Sequence, residues 1–317
     1  MSSRFEFIAG ENPAHFQFPG ALPLYSTSEY QELWPEYGKY IFCIRERASE
    51  EIKAIVYFQI IKGTAISVLS APFGSIWLSE NFDFETISAF LLFIEKHLLS
   101  KGIQDICIKH PPRIYQISTY ELMLSSLAMN GYTISNVDIN QFIDISPASF
   151  DTRIHPMEKR NLDKCRKSGL VFREHPNTEA KMVFNCIRSF RKTRKVPVNI
   201  ELDTLTRQIK QLPERYTFFS AALEDEMVAA TICVKVTDRI LYNFLPAHDS
   251  RYNMYSPIVF LLDHVYQYAQ KGGYEYLDLG ISSLNNAPQS GLIRFKQRLG
   301  SQINTRFTFT KKIKLDD

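Results

Sequence analysis

The length, composition and charge of the chain exclude a membrane-spanning protein and favour a soluble protein of two domains. Its 317 residues are 45% hydrophobic and 22% charged, with a net charge of +3, and the longest apolar run, Ala89–Ile94, is far shorter than the ~20 residues that span a bilayer. Because residues 1–6 also lack the apolar stretch of a signal peptide, we expect a cytoplasmic protein with two domains of about 150 residues.

The first half of the chain predicts an α/β domain. The predicted elements are, in order, a helix over 28–33, strands over 40–45, 52–61 and 65–70, a helix over 84–101, a strand over 103–109, a helix over 120–129 and a strand over 133–143. Asp83 is the predicted N-cap of the long helix, and Gly102 ends it. The apolar residues of this helix recur at helical spacing, so one face should be buried.

The second half predicts a similar series of elements. They are a basic helix over 156–168, a strand over 170–174, a helix capped by Asn177, a helix over 202–212, strands over 216–223, 227–236 and 240–245, a helix over 257–271, a strand over 274–279, a helix over 291–299 and a strand over 303–310. Ser256 and Pro257 suit the N-cap and first position of the helix that follows them.

Positive charge is concentrated between residues 151 and 200. This stretch has thirteen lysine and arginine residues and five acidic residues, a net +8, which leaves −5 for the rest of a chain with +3 overall. Such a region favours an anionic partner, although a solvated helix face can have the same composition.

The two halves repeat one order of elements: strands, a long helix, a strand, a helix and a strand. With Gly102 set against Gly273, Ile106 aligns with Leu277 and Ile108 with Leu279. We therefore predict a duplicated α/β protein with a mixed sheet in each domain, the first over 1–148 and the second over 149–317.

Two motifs of the second half resemble those of a known family. One is Asp278-Leu279-Gly280 followed by a polar loop, Phe295-Lys296 and Leu299-Gly300, and the other is the basic segment 159–172. With the order of elements, they resemble the Fem-type (FemABX-like) proteins, which carry two domains of the GNAT acyltransferase fold. In the first half, residues 70–74 give the best match. The resemblance implies two tandem GNAT-like domains and an acyl or aminoacyl transferase, with an amine acceptor bound between the domains.

The resemblance also implies where the acyl donor binds. In GNAT proteins the pyrophosphate of an acyl thioester such as acetyl-CoA caps the long helix, whose first N–H groups attract anions. The residues expected there are Arg251, Ser256, Ile258 and Val259, with Tyr242 and Asn243 on the adjacent strand. Met254 stands where that loop usually has a glycine, which lets the backbone approach a phosphate. An aminoacyl-tRNA therefore remains an alternative donor.

Three residues are candidates for catalysis. Lys296 could stabilise an oxyanion, Asp278 could orient an amine or act as a base, and His248 could be a general base. Each also has an ordinary interpretation, as a solvated lysine, a capping carboxylate and an inert loop histidine. The candidates for substrate binding are Asn285, Asn286, Phe295, Arg160 and Lys167.

The residue pattern leaves two other functions open. The sequence has no convincing Cys-His or Ser-His arrangement, so a covalent intermediate is not expected. The five cysteines and seven histidines lack metal-ligand spacing, and we predict no metal. Because the phosphate loop is degraded, the chain could instead be a non-catalytic GNAT-fold module that binds an anionic ligand. The basic stretch could also make it a nucleic-acid binder, although no recognised binding motif is present.

Overall fold

The computed structural model describes residues 4–10, 18, 20–284 and 286–314. The described residues of Met1–Asp138 and Thr305–Asp317 form one compact unit, called unit 1, and those of Ile139–Asn304 form unit 2. Among the described residues, no helix is long and apolar enough to cross a membrane.

The strands of both units are numbered in chain order. They are β1 (Phe5–Gly10), β2 (Gly38–Glu46), β3 (Ile52–Ile61), β4 (Thr64–Ile66), β5 (Trp77–Leu78), β6 (Asp105–His110), β7 (Thr133–Asp144), β8 (Leu170–His175), β9 (Tyr216–Leu223), β10 (Glu226–Lys235), β11 (Ile240–Asn243), β12 (Ala247–His248), β13 (Tyr276–Ile281), β14 (Ser283–Leu284), β15 (Ala287–Pro288) and β16 (Gln302–Lys312).

The α-helices are numbered in the same way. They are α1 (Ser28–Gln31), α2 (Phe84–Ser100), α3 (Tyr120–Met129), α4 (Pro156–Lys167), α5 (Ala180–Thr193), α6 (Leu202–Gln211), α7 (Pro257–Lys271) and α8 (Ser290–Arg298). Short 3-10 helices cover Leu24–Ser26, Arg113–Tyr115, Phe150–Thr152, Asn177–Glu179, Pro213–Arg215 and Ser250–Tyr255.

Unit 1 is a mixed α/β unit, as the sequence predicted. Its strands follow the order β1-β2-β3-β4-β6-β16-β7, and β5 pairs with β3. β4 and β6 are parallel, whereas β1, β2 and β3 are antiparallel neighbours. The core forms where α2 and α3 pack against strand residues such as Phe42 and Phe309. The carboxylate of Asp83 caps α2 as predicted, since it accepts a hydrogen bond of 2.6 Å from the Thr86 N–H.

Unit 2 repeats this design. From the part of β7 that begins at Ile139, its strands follow the order β7-β13-β11-β10-β9-β8, and β12 pairs with β10. β11 and β13 are the parallel pair. Helix α7 lies in the core, where it packs against α4 and the strands, and Tyr266 near its centre is fully buried. The predicted mixed α/β class therefore holds in both units.

The division into units differs from the predicted boundary between residues 148 and 149. Unit 2 begins at Ile139, and the chain from Thr305 onward belongs to unit 1. The reason is strand pairing, because Phe307 to Lys312 of β16 pair in register with His110 to Asp105 of β6. The order of elements along the chain cannot reveal such a return of the last strand to the first unit.

Several elements differ from the sequence expectation. The start of the chain was expected to be a loop, yet β1 pairs with β2 along its whole length. It was overlooked because it is short and half-buried throughout. Asn177 does not cap α5. It begins a 3-10 turn instead, and its side chain donates to the carbonyl of Pro213. Strand β4 ends at Ile66, four residues before its predicted end at Ser70.

The early end of β4 has a local cause. Beyond Ile66 the chain folds back on itself, and the Ser67 hydroxyl donates to the Gly74 carbonyl at 2.6 Å. The N–H groups of Ser67 and Gly74 then donate to the carbonyls of Cys107 and Lys109 on β6. In unit 1, residues 67–74 therefore occupy the edge of β6 where the parallel strands β4 and β6 would separate.

Replacement of Gly74 tests how tightly this loop is packed. A Cβ atom at residue 74 would lie 2.7 Å from both the Ser67 carbonyl oxygen and the Val68 Cβ. We expect Gly74→Ala to lower the free energy of unfolding by about 1–3 kcal/mol, measured by denaturant titration.

Gly38→Ala is the matched control, because a Cβ there meets its nearest atoms at 3.8 Å and the backbone needs no left-handed conformation. It should change the free energy of unfolding by less than ~0.5 kcal/mol. Equal effects of the two substitutions would contradict tight packing of the loop.

Candidate active site

Lys296 lies on α8 and is the buried cation at the centre of the candidate site. Its side chain extends to β13, where Nζ donates hydrogen bonds to the carbonyl oxygens of Gly280 at 2.8 Å and Ile281 at 3.1 Å. The residue is 7% exposed. Burial lowers the pKa of the Lys296 ammonium to about 7, and the negative charge of Asp278 opposes part of this effect.

A β-bulge in β13 brings these two carbonyl groups to Lys296. Asp278 pairs with Phe142 and Ile281 pairs with Asn140, so that two residues of β13 stand opposite one residue of β7. Gly280 in the bulge has a φ of +71°, a left-handed conformation that glycine adopts without steric cost. A bulge re-aims the backbone of a strand, and in β13 it makes consecutive carbonyl groups converge on one ammonium.

Asp278 holds the bulge from inside the unit. The residue is 2% exposed, and its Oδ1 accepts hydrogen bonds from the Gly280 N–H at 2.8 Å and from Asn140 Nδ2 at 2.9 Å. The carboxylate therefore accepts hydrogen bonds from the backbone two residues further along its own strand and from a side chain of β7.

Gln141 fixes the helix that carries Lys296. It is fully buried opposite the bulge, and its Nε2 donates to the Ile293 carbonyl of α8 at 3.1 Å and to Ser301 Oγ at 3.0 Å. Its Oε1 accepts from Ser282 Oγ at 2.6 Å. Asn140 and Gln141 of β7 thus hold the bulge and α8, respectively. Neither was predicted from the sequence, although two adjacent polar residues near the end of a predicted strand could have indicated them.

Tyr242 lies against the same bulge, whereas Asn243 forms a hydrogen bond with the neighbouring strand β10. Tyr242 pairs with Asp278 in the parallel strands, and a Cβ atom at residue 280 would lie 3.0 Å from its Cε2 and 3.2 Å from its Oη. Asn243 is buried, and its Oδ1 accepts from Thr231 Oγ1 at 2.5 Å. It therefore contributes to the pairing of β10 with β11.

The N-terminus of α7, where a pyrophosphate was expected, already has partners. Ser256 is the residue before α7, with a left-handed φ of 47°, and its side chain makes no capping hydrogen bond. Its carbonyl oxygen accepts from the Val259 N–H at 3.0 Å. The amide donors of this helix end are therefore partly engaged by the protein itself.

The side chain of Cys165 on α4 also lies at the start of α7. Its Sγ lies 2.6 Å from the Tyr255 carbonyl oxygen and 3.4 Å from that of Ser256. Burial raises the pKa of the Cys165 thiol to about 11, and hydrogen bonds from the backbone N–H groups of Cys165 and Phe260 oppose this rise. The N–H of Phe260 in the first turn of α7 is thus directed to a sulfur atom.

Arg251 and His248 are also engaged. The Arg251 side chain is 67% exposed and contacts Asp249 at 2.6 Å and Glu226 at 2.5 Å, and these carboxylates raise its pKa. His248 Nε2 contacts Asn253 Oδ1 at 2.8 Å, and its Nδ1 contacts Arg194 at 3.4 Å. Burial lowers the pKa of His248, so we assign a neutral ring that donates to Asn253.

The other predicted residues lie apart from Lys296 or outside the described chain. Arg160 and Lys167 are on α4, and Phe295 is half-buried against the core of unit 2. Asn286 is exposed with a φ of 60°, and Asn285 lies outside the described residues. The structure thus brings Lys296, Asp278 and Tyr242 together around Gly280, while Arg251, His248 and Ser256 gather near the start of α7. The roles predicted for all of them stay predictions.

One partly buried cation of unit 2 was not singled out from the sequence. Arg191 of α5 is one of thirteen bases in the basic stretch, yet its guanidinium donates to the carbonyls of Pro197 and Pro246, both at 3.1 Å. Burial lowers its pKa, and Tyr242 opposes that effect. Among the described residues, no cluster of three or more metal-ligating side chains is found.

Comparison with known proteins supports the GNAT resemblance. The family model described as an acetyltransferase (GNAT) domain matches residues 159–296. The crystal structure of FemX is similar with a TM-score of 0.69 at 10% identity, over 94% of both chains. No curated protein sequence matches the chain significantly.

Two further structures have the same fold. A tandem GNAT protein from the clavulanic acid biosynthesis pathway has a TM-score of 0.57 at 10% identity, over 99% of this chain and 100% of its own. The C-terminal domain of a putative lysylphosphatidylglycerol synthetase from Agrobacterium fabrum has a TM-score of 0.58 at 11% identity, over 91% and 88%. The chain therefore has the fold of these tandem GNAT structures, and its residues 159–296 match the GNAT domain of the family model.

Proposed function

We propose that the chain is an N-acyltransferase in which Lys296 stabilises the oxyanion formed when an amine attacks an acyl carbonyl group. The GNAT fold supports acyl transfer in general. The observation that carries the specific proposal is the buried Lys296 ammonium, held on two carbonyl oxygens at the end of β13. A cation fixed in a water-poor site stabilises developing negative charge far better than one in solvent.

The chemistry requires only this group and a positioned substrate. The nitrogen lone pair of the amine attacks the acyl carbon, and the carbonyl electrons move to the oxygen. An ammonium has three N–H donors, and two of those on Lys296 serve Gly280 and Ile281, so the third can donate to the substrate oxygen. Collapse of the intermediate forms the amide and expels the donor's carrier as a thiolate or alkoxide, which takes up the proton that the amine loses and leaves as a thiol or alcohol.

For the donor, we propose an activated acyl group whose carrier does not depend on the start of α7. The N–H groups of Val259 and Phe260 already have partners in the protein, and two carboxylates hold Arg251. An acyl-CoA bound in the usual GNAT manner would have to displace these contacts. An aminoacyl-tRNA is the alternative donor, and the basic side chains of Arg160 and Lys167 on α4 suit its phosphates.

The acceptor class follows from the Fem-type resemblance. We propose an amine of a small molecule or of a cell-wall precursor, which fits the attack on an acyl carbonyl described above. The predicted position of this acceptor stays a prediction.

A non-catalytic module is the second candidate. The same engaged groups at the start of α7 favour it, because a protein that has lost donor chemistry no longer needs to keep these amides free. Such a module would bind its anionic ligand without turnover. Lys296 then would be only a structural residue, and its removal would affect stability and not transfer.

Replacement of Lys296 distinguishes the two candidates. We expect Lys296→Met to lower kcat for amide formation by about 10²–10³-fold with a smaller change in KM, because the lost contact matters most in the transition state. Transfer would be measured with radiolabelled aminoacyl-tRNAs and acyl-CoA thioesters against a panel of amines.

Arg294→Met is the matched control, since Arg294 is an exposed cation on the same helix. This variant should retain full activity. A fully active Lys296→Met variant would refute the oxyanion role. Absence of transfer by the wild-type chain with every donor would favour the binding module.

The pKa of Lys296 predicts a pH dependence. The ammonium is required in the charged form, and its pKa is about 7, so stabilisation of the oxyanion is present below this pH and lost above it. Single-turnover rates should therefore decline as the pH rises through about 7, although a free amine becomes a better nucleophile. Lys296→Arg keeps its charge at all these pH values and should lack the decline. A wild-type rate that increases steadily up to about pH 9 would contradict the prediction.

Acetyl-CoA binding tests the proposal for the donor. Isothermal titration is expected to show no saturation with acetyl-CoA at concentrations up to about 1 mM, a value at which the binding free energy is only about −4 kcal/mol. Arg251→Ala should leave that result unchanged. Micromolar affinity that Arg251→Ala abolishes would show instead that the start of α7 opens for a pyrophosphate.

A further inference from the structure

We propose that Asp278 is a positioning residue that acts on the substrate through Lys296: its carboxylate holds the bulge under the ammonium and supplies the counter-charge that keeps this ammonium in place. The inference rests on the proposed function of Lys296. It differs from a role of Asp278 as a general base, and the geometry of unit 2 supports it in three steps.

The first step is the conformation of Gly280. Its N–H donates to Asp278 Oδ1 at 2.8 Å, which closes a turn between residues 278 and 280. Without this acceptor the N–H would be buried and unpaired, at a cost of about 1–3 kcal/mol. The bond holds the left-handed backbone at Gly280 and thereby directs the carbonyls of Gly280 and Ile281 to Lys296.

The second step is electrostatic. Asp278 is the charged group that acts on the Lys296 ammonium, and its effect opposes that of burial on the pKa. A buried ammonium without a nearby anion tends to lose its proton. The two carbonyl dipoles orient the Lys296 side chain, whereas the Asp278 carboxylate supplies a net negative charge that acts on the ammonium.

The third step excludes a direct chemical role. At 2% exposure, Asp278 presents almost no surface to a substrate, and Oδ1 already accepts from Gly280 and Asn140. A base must lie within hydrogen-bond reach of the proton that it removes. The carboxylate is therefore placed to act on the backbone and on Lys296, and its effect on a substrate would pass through Lys296.

The test measures the ionisation of Lys296 directly. With ¹³C-labelled lysine, the Cε signal of Lys296 is followed by NMR against pH and assigned by its loss in Lys296→Met. Asp278→Asn keeps an oxygen acceptor for the Gly280 N–H but removes the charge. The pKa of Lys296 should then fall by about one unit or more from the wild-type value, and any decline of the transfer rate should move to lower pH with it.

Asp263→Asn is the matched control. Asp263 of α7 is equally buried in unit 2 and pairs with Arg166 at 3.0 Å, but it is not among the groups that shift the pKa of Lys296. Its substitution should destabilise the fold and leave the Lys296 titration within about 0.2 units, roughly the precision of such curves. Equal shifts in both variants would show a general effect of a destabilised core and overturn the inference.

A second measurement needs no variant. In the wild-type chain labelled at aspartate Cγ, the Asp278 signal should show a step at the pH where Lys296 titrates, because coupled groups report each other's ionisation. No step at that pH would overturn the inference even if Asp278→Asn does not fold. Since both readouts are independent of transfer, an inactive protein with coupled titrations would refute the proposed function and leave only the positioning of the Lys296 ammonium by Asp278.

Discussion

Placing an ammonium group in the interior of unit 2 is the constraint on which the candidate site depends. A buried cation must be solvated by the protein, and Lys296 finds two carbonyl oxygens that an ordinary strand could not offer together. The bulge in β13, the glycine at its centre, and the polar side chains of Asn140 and Gln141 all serve this one requirement. The buried side chains of Asn140 and Gln141 in β7 are thus explained by a charge that lies on another element.

Structural features that depend on local sequence were predicted correctly. Features that depend on contacts between distant segments of the chain were not. The mixed α/β class and the N-cap at Asp83 follow from spacing and residue type, whereas the motifs around Lys296 were recognised by their resemblance to the Fem-type family. Asn140 could not be assigned a partner, because it meets Asp278 across 138 residues of chain. The Cys165 sulfur of α4 lies at the start of α7, a contact that the pattern of neither helix indicates. The return of β16 to β6 is likewise decided by pairing.

The family resemblance assigns functional roles both to Lys296 and to the start of α7, but the physical environments of these two places differ in this chain. Lys296 is buried, its ammonium is held by two carbonyl groups, and the charge of Asp278 favours its protonated form, an environment that suits the role proposed for it. The start of α7 has the helix that a phosphate site needs, but the N–H groups of Val259 and Phe260 are directed to the protein's own atoms. A motif shows which residue types are present, and the hydrogen-bond partners decide whether those residues remain able to bind a ligand.

The loop at residues 67–74 has a consequence for stoichiometry. Each unit contains one parallel pair of strands among its described residues, β4 with β6 and β11 with β13. In unit 1 the edge of β6 beyond this pair is occupied by the loop, which Gly74 allows to pack closely. The edge of β6 is therefore closed by the chain itself. For the transferase proposed above, we expect unit 1 to contribute no acyl site despite the duplicated fold, and a saturation curve with at most one acyl group per molecule.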